Sequence, residues 1–206
     1  MKIIKSCLWA LPLMGMVVGC FDNDDKDRQT GVSVVENEIV GRILLENGDP
    51  AAGAKVSLFR AEEAGKPVIE GSASASGEYR FSGIKAGSYS ILARQSALVT
   101  FQDAIALVSG KLVLPDRLLR VGGKVRTAVV LKPGDDISSV TAVILGSDFI
   151  SKPKVGGDLG MDGMPEGKLR IRITSTIPGY LPLEAQLDII SGEETLVDTL
   201  HLPFVK

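Results

Sequence analysis

From about residue 34 onward, apolar and polar residues alternate in short stretches separated by Gly, Pro, Asp and Ser, the pattern of half-buried β-strands. The clearest stretch is Lys168-Leu169-Arg170-Ile171-Arg172-Ile173-Thr174. Successive side chains of a strand point to opposite faces, so Leu169, Ile171 and Ile173 share one face and the three cations the other. Leu183, Ala185, Leu187 and Ile189 repeat the pattern against Glu184, Gln186 and Asp188. Lys55 to Phe59, Glu78 to Phe81 and Ser88 to Ala93 are further strands by the same test. One face turned to a core and one to water predicts antiparallel sheets and an all-β protein.

An internal repeat organises these strands. Residues Ser76 to Ile91 align with Gly156 to Ile171, so that Gly77, Gly83 and Gly87 meet Gly157, Gly163 and Gly167. Extended outward, the register sets Gly41 against Gly123 and Ser109-Gly110 against Ser191-Gly192. It also sets Phe101, Ile105 and Leu107 against Leu183, Leu187 and Ile189. A spacing of roughly eighty residues is too long for a solenoid unit and suits a small sandwich. The expectation is two tandem antiparallel β-sandwich domains of the immunoglobulin-like or prealbumin-like kind, at 34–116 and 117–206, meeting near Leu114-Pro115-Asp116-Arg117.

The N-terminus reads differently. Lys2 and Lys5 precede a short apolar run from Leu8 to Val18, broken by Pro12 and Gly15, which is the layout of a secretory signal. The run falls short of the ~20 residues that a transmembrane helix needs. It ends in Val17-Val18-Gly19-Cys20, which resembles the lipobox of bacterial lipoproteins. The resemblance implies cleavage after Gly19, diacylglycerol on the Cys20 thiol, and acylation (palmitate or a similar chain) of the new amino group. Two acyl chains suffice for stable anchoring. Residues 1–19 are then a signal peptide, and the polar, acidic residues 20–33 a flexible tether to the membrane. By resemblance to enterobacterial sorting, Phe21 rather than Asp after the cysteine favours the outer membrane; which face of it remains open.

Loss of Lys2 and Lys5 changes 23 basic against 25 acidic residues to 21 against 25, a formal charge of −4. With no basic patch, nucleic acid is not an expected partner. Cys7 falls in the signal and Cys20 would be a thioether, so no disulfide is available, and burial alone must hold the domains.

Several residues carry a family resemblance: Gly41-Arg42-Ile43, the stretch Pro50 to Leu58, Gly77-Glu78-Tyr79-Arg80-Phe81, and Gly83-Ile84-Lys85-Ala86-Gly87-Ser88-Tyr89. Their order is similar to that of carboxypeptidase regulatory-like domains, which are seven-stranded sandwiches of the transthyretin type. The likeness covers about residues 36–95. It weakens over 119–205, where Leu159 and Leu169 replace the tyrosines and Met161 the phenylalanine. The resemblance implies an add-on module of exported proteins, and architecture more than activity.

Candidate chemistry is sparse. His201 is the single histidine, so no zinc set of three or four His and Cys ligands can be composed. A Ser-His-Asp triad would have to use His201 beside Leu200 and Leu202, with no Gly-x-Ser-x-Gly elbow to present a nucleophile. Paired carboxylates stay open because their separation is a three-dimensional property. No enzyme, cofactor or metal site is expected. Asp135-Asp136 and Asp158-Asp162 lack the alternating spacing of a calcium loop and read as turn acids. The mature chain keeps Asn only at 23, 37 and 47, which departs from the isopeptide-forming pattern of some surface sandwiches. Binding remains. The first expectation is an envelope protein partner, met through free strand edges and the stretch Gly146 to Lys154 with Phe149 as contact residue. The alternative is an extracellular polysaccharide or other ligand. The mature chain has no tryptophan, and Tyr79 and Tyr89 face inward, so Tyr180 would be the sugar platform.

Overall fold

The structure, a computed structural model, describes residues 36–205. The expected signal 1–19, the Gly19 and Cys20 processing site and the tether 20–33 lie outside the described residues. The regular structure of the described chain is all strand but for one short 3₁₀ turn, and its strands form four sheets. The first carries β1 (Glu38–Leu44) between β4 (Glu78–Ser82) and β7 (Lys111–Val113), with β8 (Arg117–Leu118) also on β1. The second runs β3 (Ile69–Ser72), β2 (Lys55–Arg60), β5 (Gly87–Gln95), β6 (Leu98–Leu107), β9 (Arg120–Val121). The third sets β10 (Gly123–Val130) between β13 (Asp158–Met164) and β16 (Glu194–Leu196), with β17 (Leu200–His201) also on β10. The fourth runs β12 (Ile150–Ser151), β11 (Val140–Ile144), β14 (Gly167–Ser175), β15 (Leu183–Ile189). Every strand expected from alternation is present.

The third and fourth sheets copy the first and second. β1 pairs β4 antiparallel and β7 and β8 parallel; β10 treats β13, β16 and β17 in the same way. The hydrogen bonds fix the equivalence. Ile43 N–H donates to Gly77 O at 2.8 Å, and Val129 N–H to Gly157 O at 2.8 Å. Both glycines have positive φ, +78° and +94°, and a Cβ on either would collide with the carbonyl oxygen of Ile43 or Val129. Only glycine fits there. With Ile43 matched to Val129, the counterpart of Gly41 is Thr127. This corrects the expected match of Gly41 with Gly123. Gly41 is glycine for another reason, because a Cβ would strike the Tyr79 ring.

Alternation puts Ile39, Ile43, Val56, Leu58, Tyr79, Phe81, Tyr89, Ile91, Ile105 and Leu107 into one buried cluster. Val125, Val129, Ala142, Ile144, Leu159, Leu169, Ile171, Ile173, Leu187 and Ile189 form the core of the second repeat. Each fully buried large side chain contributes about 1.5–3 kcal/mol, an upper estimate for a compact unfolded chain. Four residues of the first repeat, Phe59, Leu92, Val99 and Phe101, belong to the second cluster. They line the outer face of their own sheet, where alternation alone would place them in water.

A β-bulge explains part of this. Along β5 and β6, Tyr89 faces Ile105 but Ile91 faces Gln102, so Asp103 and Ala104 together oppose Ser90. Ala104 sits at φ +57°. The extra residue reverses the facing of β6, so Val99 and Phe101 turn outward while Ile105 and Leu107 turn inward. β14 and β15 pair from Gly167↔Ile189 to Ile173↔Leu183 with no irregularity. Leu92, opposite Phe101, therefore corresponds to Arg172, opposite Glu184. The expected match of Phe101 with Leu183 is off by one for that reason.

Candidate functional site

The two repeats meet at a polar seam built around the bulge. Asp103 Oδ1 accepts from the Ser90 hydroxyl at 2.5 Å and from Ala104 N–H at 2.8 Å. Its Oδ2 accepts from Arg170 Nε at 3.1 Å. The same guanidinium donates to Glu62 Oε1 at 2.7 Å and to Ala61 O at 2.8 Å. Partial burial works against its charge, and the hydrogen bonds to Glu62 and Asp103 outweigh that, holding its pKa above the ordinary arginine value. Backbone joins the repeats too. Gly146 N–H donates to Glu63 O at 2.7 Å and Gly65 N–H to Ser147 O at 2.8 Å, around a parallel bridge between Ala64 and Ser147. Gly146 has φ +73°, and a Cβ there would run into the Ser90 side chain.

The stretch Gly146 to Lys154, expected as a contact loop, is divided: Gly146, Ser147 and Pro153 are buried, while Asp148, Ile150, Lys152 and Lys154 are exposed. Ser147 is fully buried, with its hydroxyl on Ile144 O at 2.8 Å. Asp148 takes a two-pronged contact from Arg94, 2.6 Å for each bond. That guanidinium stacks 4.5 Å above the Phe149 ring. Ile150 and Ser151 pair with β11, and Pro153 is buried. Phe149 is half-buried at the seam, packed against the second core. It contacts the first repeat of its own chain.

Tyr180 is also occupied. It is 9% exposed, and its ring meets Phe204 edge-on at 5.0 Å. The hydroxyl donates to Asp135 Oδ2 at 2.6 Å and accepts from Lys132 N–H at 2.7 Å. Burial, then the Asp135 carboxylate, raise its pKa above the ordinary phenol value. Little of the ring is exposed, and Tyr180 packs into the second core. Asp136 caps a short 3₁₀ turn, Ile137–Ser139, and Asp162 pairs with Arg126 at 2.7 Å. His201 is exposed on β17. Among the described residues no three His, Cys, Asp or Glu come together as a metal-binding group. One open depression of about 420 Å³ lies beside Arg117, Arg120 and Glu166, where the Arg120 and Glu166 charges pair with each other at 3.2 Å.

One of the open sheet edges is long and regular. β15 pairs β14 on one side and, among the described residues, no strand on the other. Free strand edges were expected from sequence but not this one in particular, and the Asp103–Arg170 contact was not singled out. The signal for the second was Asp103 itself, a charge in phase with Val99, Phe101, Ile105 and Leu107 where alternation calls for an apolar residue.

No protein-family model matches the chain, and no curated protein matches it. Solved structures with some likeness include the TIE protein of Bacillus anthracis, 15% identical over 82% of this chain, with a TM-score of 0.35. This chain spans 34% of that protein's length. The minor pilin GBS52 of Streptococcus agalactiae is 13% identical, with 82% of this chain and 97% of the pilin covered and a TM-score of 0.39. The major pilin subunit BcpA of Bacillus cereus is 9% identical, with 82% and 100% covered and a TM-score of 0.33.

Proposed function

We propose that this chain is a membrane-anchored envelope lipoprotein, held by lipid on Cys20, whose two sandwiches serve as a non-catalytic structural or protein-interaction module. The observation that carries the reading is the seam. Buried apolar side chains, a charged cluster and backbone bonds join the repeats, so their surfaces stand in a fixed relation, as a scaffold or docking body requires. Titratable groups at the seam and turns are engaged in ion pairs and caps rather than gathered at a cleft. The lipobox resemblance supports the anchor, and the Gly-x-Tyr-x-Phe pattern supports a carboxypeptidase regulatory-like origin for the sandwiches. Among the described residues no helix is long and apolar enough to cross a membrane. The polysaccharide alternative is less well supported, because Tyr180 is 9% exposed.

The test is cross-linking in intact cells, affinity recovery and mass spectrometry, comparing the native chain with Cys20→Ala. The expected result is a defined envelope protein recovered with the native chain, and Cys20→Ala released from membranes. Recovery of polysaccharide would overturn the interaction role. Equal membrane association of Cys20→Ala would overturn the anchor.

A further inference from the structure

The sheet edges are unequally guarded. β3 is four residues long and β12 two. β6 carries the bulge, and β9 pairs with its first two residues. β13 contains Gly160 and Gly163, and Ser151 donates its hydroxyl to Gly160 O at 2.9 Å. β15 runs seven residues without bulge or proline. Such an edge is a template for another strand.

The ladder shows which groups are free. Leu145 N–H donates to Arg170 O at 2.9 Å, so Arg170 turns its backbone toward β11, and Leu169 and Ile171 turn theirs toward β15. Their partners Leu187 and Ala185 face back to β14. The N–H and C=O groups of Glu184, Gln186 and Asp188 therefore point outward. Of these, Asp188 O meets the Thr195 hydroxyl at 3.4 Å. The inner row is also incompletely covered at this edge: Leu187 and Ile189 are buried, whereas Leu183 and Ala185 are only half-buried.

Charge narrows the occupant. Residues 183–201 hold Glu184, Asp188, Glu193, Glu194 and Asp198 and no Lys or Arg. Glu184 and Glu194 pair with Arg172 and Arg126, while Asp188, Glu193 and Asp198 have no ion-pair partner among the described residues. A second copy fits poorly. Full antiparallel overlap of two β15 strands, centred on Gln186, sets Glu184 against Asp188 at both ends, and like charges directly opposite destabilise a pair.

Resting on the interaction role above, we propose that β15 accepts an extended segment of a partner protein as an added strand. Lys or Arg at its outward positions faces Glu184 and Asp188, and small apolar residues at the alternate positions cover Leu183 and Ala185. Main-chain bonds supply affinity and the alternate side chains supply selection.

The probe is an end-blocked peptide of alternating Lys and Val, with alternating Glu and Val as control, titrated onto the detergent-solubilised full chain. Backbone amide exchange is followed residue by residue. The expected result is exchange slowed about tenfold at Glu184, Gln186 and Asp188 by the Lys peptide alone. Gln186→Pro loses no ladder bond, because that N–H points outward, and should abolish the protection. If Gln186→Pro fails to fold, Glu184→Lys with Asp188→Lys leaves the ladder in place and should reverse the preference toward the Glu peptide. Absence of protection by the Lys peptide overturns the proposal, as does equal binding to Gln186→Pro or a dimer of the native chain that Gln186→Pro dissociates. If Gln186→Pro still recovers the native chain's envelope partner from cells, the edge assignment fails while the lipoprotein reading stands.

Discussion

Replacing Asp103 by Ala removes three hydrogen bonds at once, and its cost can be worked out bond by bond. Ser90 is fully buried, so a hydroxyl without its acceptor costs about 1–3 kcal/mol. Ala104 N–H loses a bond to a charged acceptor but lies at the surface, where water replaces most of it, leaving about 0.5 kcal/mol. The contact with Arg170 joins side chains 23% and 36% exposed, and solvent screening reduces it to about 0.5–1 kcal/mol. The sum is about 3 kcal/mol. In urea, with a slope of about 2 kcal/mol per molar, that lowers the unfolding midpoint by about 1.5 M. Asp103→Asn keeps an acceptor for Ser90 and should lose about 1 kcal/mol. A double-mutant cycle with Arg170→Ala should show coupling of about 0.5–1 kcal/mol. Circular dichroism against urea reads the native chain and all four variants. A midpoint drop under about 0.5 M for Asp103→Ala, or strict additivity with Arg170→Ala, would refute the role given to the bulge carboxylate.

Two further substitutions probe other parts of the fold. The Tyr79 hydroxyl is buried without a partner, so Tyr79→Phe should raise stability by about 1 kcal/mol at neutral pH. Burial pushes this phenol to about 12, above the ~10 of an unfolded chain, so its neutral form favours folding fully below pH ~10, and that contribution is lost as pH rises through about 12. Tyr79→Phe should therefore flatten the alkaline fall in the urea midpoint; an unchanged profile would argue against it. Gly146→Ala places a Cβ against Ser90 in a left-handed conformation and should cost about 2–3 kcal/mol in thermal unfolding. Gly156→Ala, also left-handed at φ +97° but with open space around it, should cost about 1 kcal/mol. Equal losses would show that the close approach at Gly146 carries no weight.

The sandwich strands were legible because alternation reports a face turned inward, and Leu169, Ile171 and Ile173 need nothing else to be placed. Gly77 and Gly157 were legible as repeat markers, since the backbone position excludes any side chain. The seam was not legible. An outer sheet face becomes interior only when another body covers it, and nothing local distinguishes Leu92 or Phe101 from an ordinary core residue. The bulge compounded this, because one inserted residue preserves the odd-numbered apolar rhythm of β6 while reversing what it means. Phe149 and Tyr180 were found as unusual aromatic residues, but an aromatic ring near a turn is as easily held by Arg94 or Phe204 of its own chain as by a ligand.

The substitution of Arg172 and Glu184 for Leu92 and Phe101 has a consequence for the order of the two repeats. At these positions the first repeat is apolar and must be covered, whereas the second is ionic, with Arg172 held by Glu184 and by Glu62 of the first repeat. The apolar patch that Leu92 and Phe101 offer to the second repeat has no copy on the second, so the two repeats are not interchangeable.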